Sequence, residues 1–153
     1  MKGPVGFGKL VNLLMNLAMG LIVSIAVLLS SGAPLNDVTI VPAWLSSFVL
    51  GYAAGDIVPI SKWCNSAAAH VSRGSRIIAH LIISLFMGIY FGMVILAGNS
   101  IINALPGGDW LAVGSFFISN IVTVLVTAVV TVCIILQPMQ IFAAKISGFN
   151  PNE

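Results

Sequence analysis

The sequence predicts an all-α polytopic membrane protein: four transmembrane helices arranged as two tandem two-helix repeats in a single membrane domain. Three observations predict it. The chain has 153 residues, 59% of them apolar and only 7% charged, with a mean hydropathy of +1.11, whereas a soluble domain runs near 45–50% apolar and about 25% charged. Its charges leave long gaps: none falls between Lys9 and Asp37, between Arg76 and Asp109, or between Asp109 and Lys145, and only Asp56 interrupts the stretch from Asp37 to Lys62. A spanning helix needs about 20 mostly apolar residues, which each gap supplies. Finally, the pattern of small and apolar residues recurs under a shift of 68 positions.

Lipid offers no partner for backbone N–H and C=O groups, so the apolar runs are read as helices. The first covers about Leu10 to Leu29 and ends at the turn sequence Ser30-Ser31-Gly32-Ala33-Pro34. The second covers about Ile40 to Lys62, bent by Pro59 just after Asp56. The third runs from about Arg76 to Ala97 and is followed by Gly98, Asn99 and Ser100. The fourth begins at Trp110, after the breaker Pro106-Gly107-Gly108, with Asp109 placed to cap it. It runs to about Gln137, with a bent or interfacial tail past Pro138. The first helix has the basic start of a secretory signal, but its apolar run is long, Pro34 would follow the cut, and it has a counterpart later in the chain. It is therefore read as a span.

The cations Lys2, Lys9, Lys62, Arg73, Arg76 and Lys145 all fall on one side of a four-span path. The cation-rich side is ordinarily cytoplasmic, so both termini are expected in the cytoplasm, across the inner membrane of a cell. Trp44 and Trp110 then stand at the outer interface and Trp63 at the inner one, as an aromatic belt requires. The net charge of +2 reflects scarcity of charge and leaves no basic face for nucleic acid. Arg73 and Arg76, with His70, are expected to face anionic headgroups. No nucleophile elbow, phosphate-binding loop, zinc motif or haem-attachment motif occurs, so neither an enzyme nor a cofactor is expected. Cys64 and Cys133 lie far apart and read as free thiols.

Under the shift of 68, Asn12 meets His80, Leu17 meets Leu85, Met19-Gly20 falls on Met87-Gly88, and Ser47-Phe48 falls on Ser115-Phe116. Each helix carries a stripe at spacing four, and residues four apart share one helix face. The stripes are Asn12, Asn16, Gly20, Ser24; Ser47, Gly51, Gly55; His80, Ser84, Gly88, Gly92; and Ser115, Ser119, Thr123, Thr127, Thr131. The first repeat covers about residues 10–66 and the second about 76–146. Both units would enter the membrane from the same side, related by an axis along its normal. Small residues let helices approach in lipid, which assigns Gly20, Ser24, Gly51, Gly55, Gly88 and Gly92 to helix packing. The alternative is that one stripe lines a polar path, and the Thr run of the fourth helix is the best candidate for it.

One polar group stands out. Asp56 lies about 9 Å inward of Lys62 at 1.5 Å per residue, and Asn12, Asn16, His80 and Ser84 fall at a similar depth. An ionisable residue inside a span is a functional candidate by default. Asp56, His80, Asn12, Asn16 and Ser84 therefore form the candidate ion or polar site. The competing reading has Asp56 reaching the headgroups or pairing with Lys62, with His80 satisfied at the interface.

Trp44-Leu45-Ser46-Ser47-Phe48, followed by Pro59, resembles a small bacterial inner-membrane family of unknown function, built from a two-helix unit. Trp110, Phe116 and Pro138 look like its second copy, although Pro138 lies farther from Trp110 than Pro59 does from Trp44. The resemblance covers about Asn12 to Ile146 and implies a bacterial inner membrane and two tandem units, with no activity to carry over. Two functional classes follow from the sequence. One is a homo-oligomeric transporter or channel, whose partners are the lipid bilayer and further copies. The other is a non-transporting accessory or assembly subunit beside a partner membrane protein.

Overall fold

The structure, a computed structural model, describes residues 2–104 and 108–149. Pro106 and Gly107 of the expected breaker lie outside the described residues. Among the described residues the chain forms five helices and no strand.

Helix α1 spans Gly3–Ser30, with Pro4 in its first turn, where a missing N–H costs nothing and the fixed φ suits the helix. It starts earlier than expected because Lys9 is carried on its exposed face. Helix α2 spans Asp37–Ile57. It opens with a reciprocal cap: Asn36 Oδ1 accepts from the Thr39 amide at 3.0 Å, and the Asn36 amide donates to Thr39 Oγ1 at 3.3 Å. The expected second helix, Ile40 to Lys62, is in fact two helices. Val58 is extended (φ −104°, ψ 125°), because the ring of Pro59 disfavours the helical conformation of the residue before it. Helix α3, Ile60–Val71, follows after the break. It turns into α4 through Arg73 (φ 47°) and Gly74 (φ 87°).

Helix α4 spans Arg76–Ala104 and so runs on through Gly98, Asn99 and Ser100, which had read as a loop. Their polar groups are satisfied without leaving the helix: Ser100 Oγ donates to the Leu96 carbonyl at 2.7 Å, and Asn99 bonds to α2. Helix α5 spans Trp110–Ser147, 38 residues, or about 57 Å at 1.5 Å per residue. Asp109 caps it, its Oδ1 accepting from the amides of Leu111 and Ala112 at 2.8 and 3.2 Å. The helix passes through Pro138 and stops at Gly148 in the left-handed conformation (φ 64°). It outruns a hydrocarbon core of about 30 Å, and its last turns lie against the start of α1, where Phe7 and Phe149 meet with ring centroids 5.6 Å apart.

Four of these helices, α1, α2, α4 and α5, are long and apolar enough to cross a membrane. Helix α1 packs on α2 and α5, and α4 packs on α5 and α2, so the spans form a ring in the order α1, α2, α4, α5. Helix α3 lies outside this ring against α4, burying Cys64 and Ala68 and exposing Lys62, Trp63 and His70. Both termini and α3 share one end of the bundle, called here the terminal end; the α1–α2 and α4–α5 connections share the other, the loop end. The middle of the ring is filled by Met15, Met19, Phe91, Ile95, Val124 and Ala128. The outward positions are equally apolar: Ile118 is 73% exposed and Val122 72% exposed. Apolar side chains filling the inside and facing outward require a bilayer rather than water around the molecule, and the chain is a multi-pass, all-α membrane protein.

The closest approach is between α4 and α5. A Cβ at Gly88 would lie 2.5 Å from Val129 Cα, and one at Gly92 would lie 3.2 Å from Ala128 Cβ. Gly20 meets α2 in the same way, 3.0 Å from the Phe48 amide nitrogen. Without a hydrophobic drive between helices in lipid, such backbone proximity supplies the van der Waals contact that holds the ring.

Candidate functional site

The stripes of α1 and α2 face each other along an antiparallel seam. Asn16 Nδ2 donates to the Asn12 carbonyl at 2.9 Å and to Asn12 Oδ1 at 2.7 Å. Asn12 Nδ2 in turn donates to the Tyr52 carbonyl at 3.1 Å. Gly51 and Gly55 make room for these amides, since a Cβ at either would collide with Asn16 Oδ1 or Asn12 Oδ1. Asn16 is fully buried, and its Oδ1 has no hydrogen-bond partner among the described residues. It rests against the Gly51 backbone, where only a weak Cα–H donor faces it.

The structure divides the predicted site between two helix pairs. Asn12 and Asn16 come together on the α1–α2 seam. His80 belongs to the α4–α5 pair, its Nε2 lying 2.9 Å from the Cys133 carbonyl and 4.0 Å from Cys133 Sγ. Ser84, one turn further on α4, is buried with its Oγ unpartnered among the described residues. Asp56 is exposed on α2 and takes no part in the bonds of the seam. The reason is rotational: Gly55 already occupies the α2 face turned to Asn12, and the next residue projects about 100° away.

The Ser/Thr run of α5 does not form a continuous interior path either, although Thr131 is buried. Ser115 and Ser119 are exposed and donate to carbonyls of their own helix, at 3.0 and 2.7 Å. Thr127 and Thr131 border a shallow groove with Ile22 of α1.

The feature that sequence reasoning missed is a partly open cavity of about 370 Å³ at the loop end, lined by residues of all four spans. Its floor is a chain of uncharged polar groups. Ser24 Oγ donates to the Ala43 carbonyl at 2.8 Å. A hydroxyl has one proton, so Ser47 Oγ, 3.0 Å away, donates to Ser24. Asn99 Nδ2 donates to Ser47 Oγ at 2.9 Å, and Ser46 Oγ donates to Asn99 Oδ1 at 2.7 Å. Ser24 and Ser47 are only 4% and 1% exposed. Val23, Val27, Ile95, Leu96, Phe116 and Val124 supply apolar walls, and no charged residue lines the space.

Two signals in the sequence pointed to this floor. Ser24 and Ser47 stand in the spacing-four stripes, and Asn99 lies just past the expected end of the third helix at Ala97. Below the floor Gly20 packs against the Phe48 backbone, and the polar steps resume toward the terminal end as Asn16–Gly51 and Asn12–Gly55. The adjoining core, Met15, Met19, Phe91 and Ile95, is closed and apolar.

On α3, outside the spans, burial pushes the Cys64 thiol above its ordinary pKa. Both cysteines are free. Among the described residues no group of three or more His, Cys, Asp or Glu side chains is placed to hold a metal ion. Comparison with family models, with curated proteins and with solved structures finds no match for this chain.

Proposed function

We propose that this chain is a small transporter or channel that takes an uncharged solute into the loop-end cavity. The observation that carries the reading is the uncharged polar floor, formed by Ser24, Ser46, Ser47 and Asn99 inside an otherwise apolar bundle. Pockets that bind small molecules have this make-up: apolar walls and a few placed hydrogen-bonding groups. An ion is a poor fit, because an unpaired charge held away from water is costly. The closed core beneath the floor matches a site open to one side at a time.

The six cations gather at the terminal end, which supports a cell inner membrane with both termini in the cytoplasm. The ring order is compatible with the tandem-repeat reading: a half-turn carrying α1 onto α4 and α2 onto α5 preserves every neighbour relation. The cavity is built within one chain, so a homo-oligomer is not needed to form it.

The test is solute-driven swelling of proteoliposomes in stopped-flow light scattering, with glycerol and urea against potassium chloride. The expected result is a several-fold faster entry of the neutral solutes than in protein-free vesicles, lost in Asn99→Leu, with unchanged entry of the salt. Equal rates with and without protein would overturn the reading. The accessory-subunit alternative would then gain if an unrelated membrane protein co-purified at fixed ratio in mild detergent.

A further inference from the structure

We infer that the loop-end cavity is a binding site for an uncharged amphipath: one compact hydroxyl or carboxamide head on an apolar body of about eight carbons. The inference rests on the cavity being the solute site proposed above, and adds the class of solute.

The head group follows from the unused valences of Asn99. A carboxamide offers two N–H donors and two acceptor lone pairs. Ser47 takes one donor and Ser46 fills one lone pair. One N–H and one lone pair remain on a half-buried side chain that lines the cavity. The complementary head both donates and accepts, as an alcohol or a primary amide does. A carboxylate accepts without donating and an ammonium donates without accepting, and either would bring a charge to walls that hold none to pair it.

The body follows from the walls. Val23, Val27, Ile95, Leu96, Phe116 and Val124 surround the space above the floor. Its volume of about 370 Å³ is many times what a single water needs and admits a head group with a medium-length chain. The mouth at the loop end is mixed: Val38, Pro42 and Ile102 bound it beside Ser31, Thr39 and Asn103, which suits a ligand with one polar head on an apolar body.

The experiment uses the full chain in liposomes and an octanol carrying a diazirine on its chain. Photolabelled protein is digested and the adducts are located by mass spectrometry. The expected adducts fall on residues 38–47 and 95–103, and octanamide competes with them. Octane, octanoate and octylammonium compete at least tenfold less well. Asn99→Leu, close in size but without the amide, lowers labelling there at least tenfold. Ser119→Ala, on the exposed face of α5 away from the cavity, keeps it within about threefold. Should Asn99→Leu fail to assemble, the competition series on the unmodified protein decides by itself. Competition by octane equal to that by octanamide would overturn the inference, as would strongest competition by either charged compound or adducts spread evenly over the lipid-facing positions. Cavity labelling without swelling activity would retain the ligand class and remove the transport reading. Swelling activity without cavity labelling would do the reverse.

Discussion

The α4–α5 contact makes a quantitative prediction that separates two glycines one turn apart. In Gly88→Ala the new Cβ lies 2.5 Å from Val129 Cα and 2.8 Å from its amide nitrogen. Both atoms are backbone and cannot turn aside. Restoring ordinary contact, which begins near 3.4 Å, requires the helices to part by about 1 Å. A gap of 0.5–1 Å forfeits roughly a quarter to a half of each contact along the seam, and overpacking of this kind costs about 1–3 kcal/mol. The higher helix propensity of Ala returns up to about 1 kcal/mol, leaving a net loss of about 1–2 kcal/mol. At Gly92 the nearest atoms are Ala128 Cβ at 3.2 Å and Leu125 Cδ2 at 3.3 Å, side-chain atoms that yield by a few tenths of an ångström. Gly92→Ala should fall within about 0.5 kcal/mol of the parent once propensity is counted. The assay is reversible unfolding in mixed micelles titrated with SDS, followed by far-ultraviolet circular dichroism. Val129→Ala should not rescue Gly88→Ala, because the offending Cα and nitrogen remain. A reversed order of the two glycine variants, or full rescue by Val129→Ala, would refute the backbone-contact argument.

The other expectations use the same logic. Asn12→Leu removes the side-chain hydrogen bond that crosses from α1 to the Tyr52 carbonyl of α2 and should lower stability in the same titration by about 0.6–2 kcal/mol; an unchanged midpoint would show that this bond holds nothing together. Asp56→Asn alters an exposed residue and should move stability by no more than about 0.5 kcal/mol, with swelling rates unaffected; a lost activity would return Asp56 to the site. Cys64 is buried on α3 with its pKa raised. The thiolate is the reactive form, so in a Cys133→Ser background its labelling by a water-soluble maleimide should be slow at pH 7 and should rise about tenfold per pH unit up to and beyond pH 9. A rate at pH 7 equal to that of SDS-denatured protein would contradict the burial.

Much of the fold was legible because charge is so rare here. The gaps between Lys9 and Asp37 and between Arg76 and Asp109 mark spans directly, and Asp109 announced the start of α5 as a helix cap. Boundaries were less legible where a local rule competed with context. Pro59 was read as a bend, but its effect on Val58 ends α2 outright. Gly98-Asn99-Ser100 was read as a break, but Asn99 finds Ser46 and Ser47 across the bundle and the helix continues. For the site, depth along the membrane was readable and direction around each helix was not. Asp56, His80 and Asn12 do lie at comparable distances from their flanking cations, yet His80 sits on the α4–α5 pair and Asp56 on a face of α2 turned away from Asn12.

The amino-acid order by itself determined the solvent, the number of spans and the end of the bundle that gathers the cations, because the cost of placing a charge or an unpaired backbone group in hydrocarbon is large and local. It also determined which residues share a helix face. What tertiary structure decided was which faces meet. Lipid and helix interior are equally apolar, so hydropathy does not orient a span about its own axis. Only the fit of Gly88 against Val129, of Gly51 against Asn16, and of Asn99 between Ser46 and Ser47 turned the stripes toward one another and opened a cavity among them.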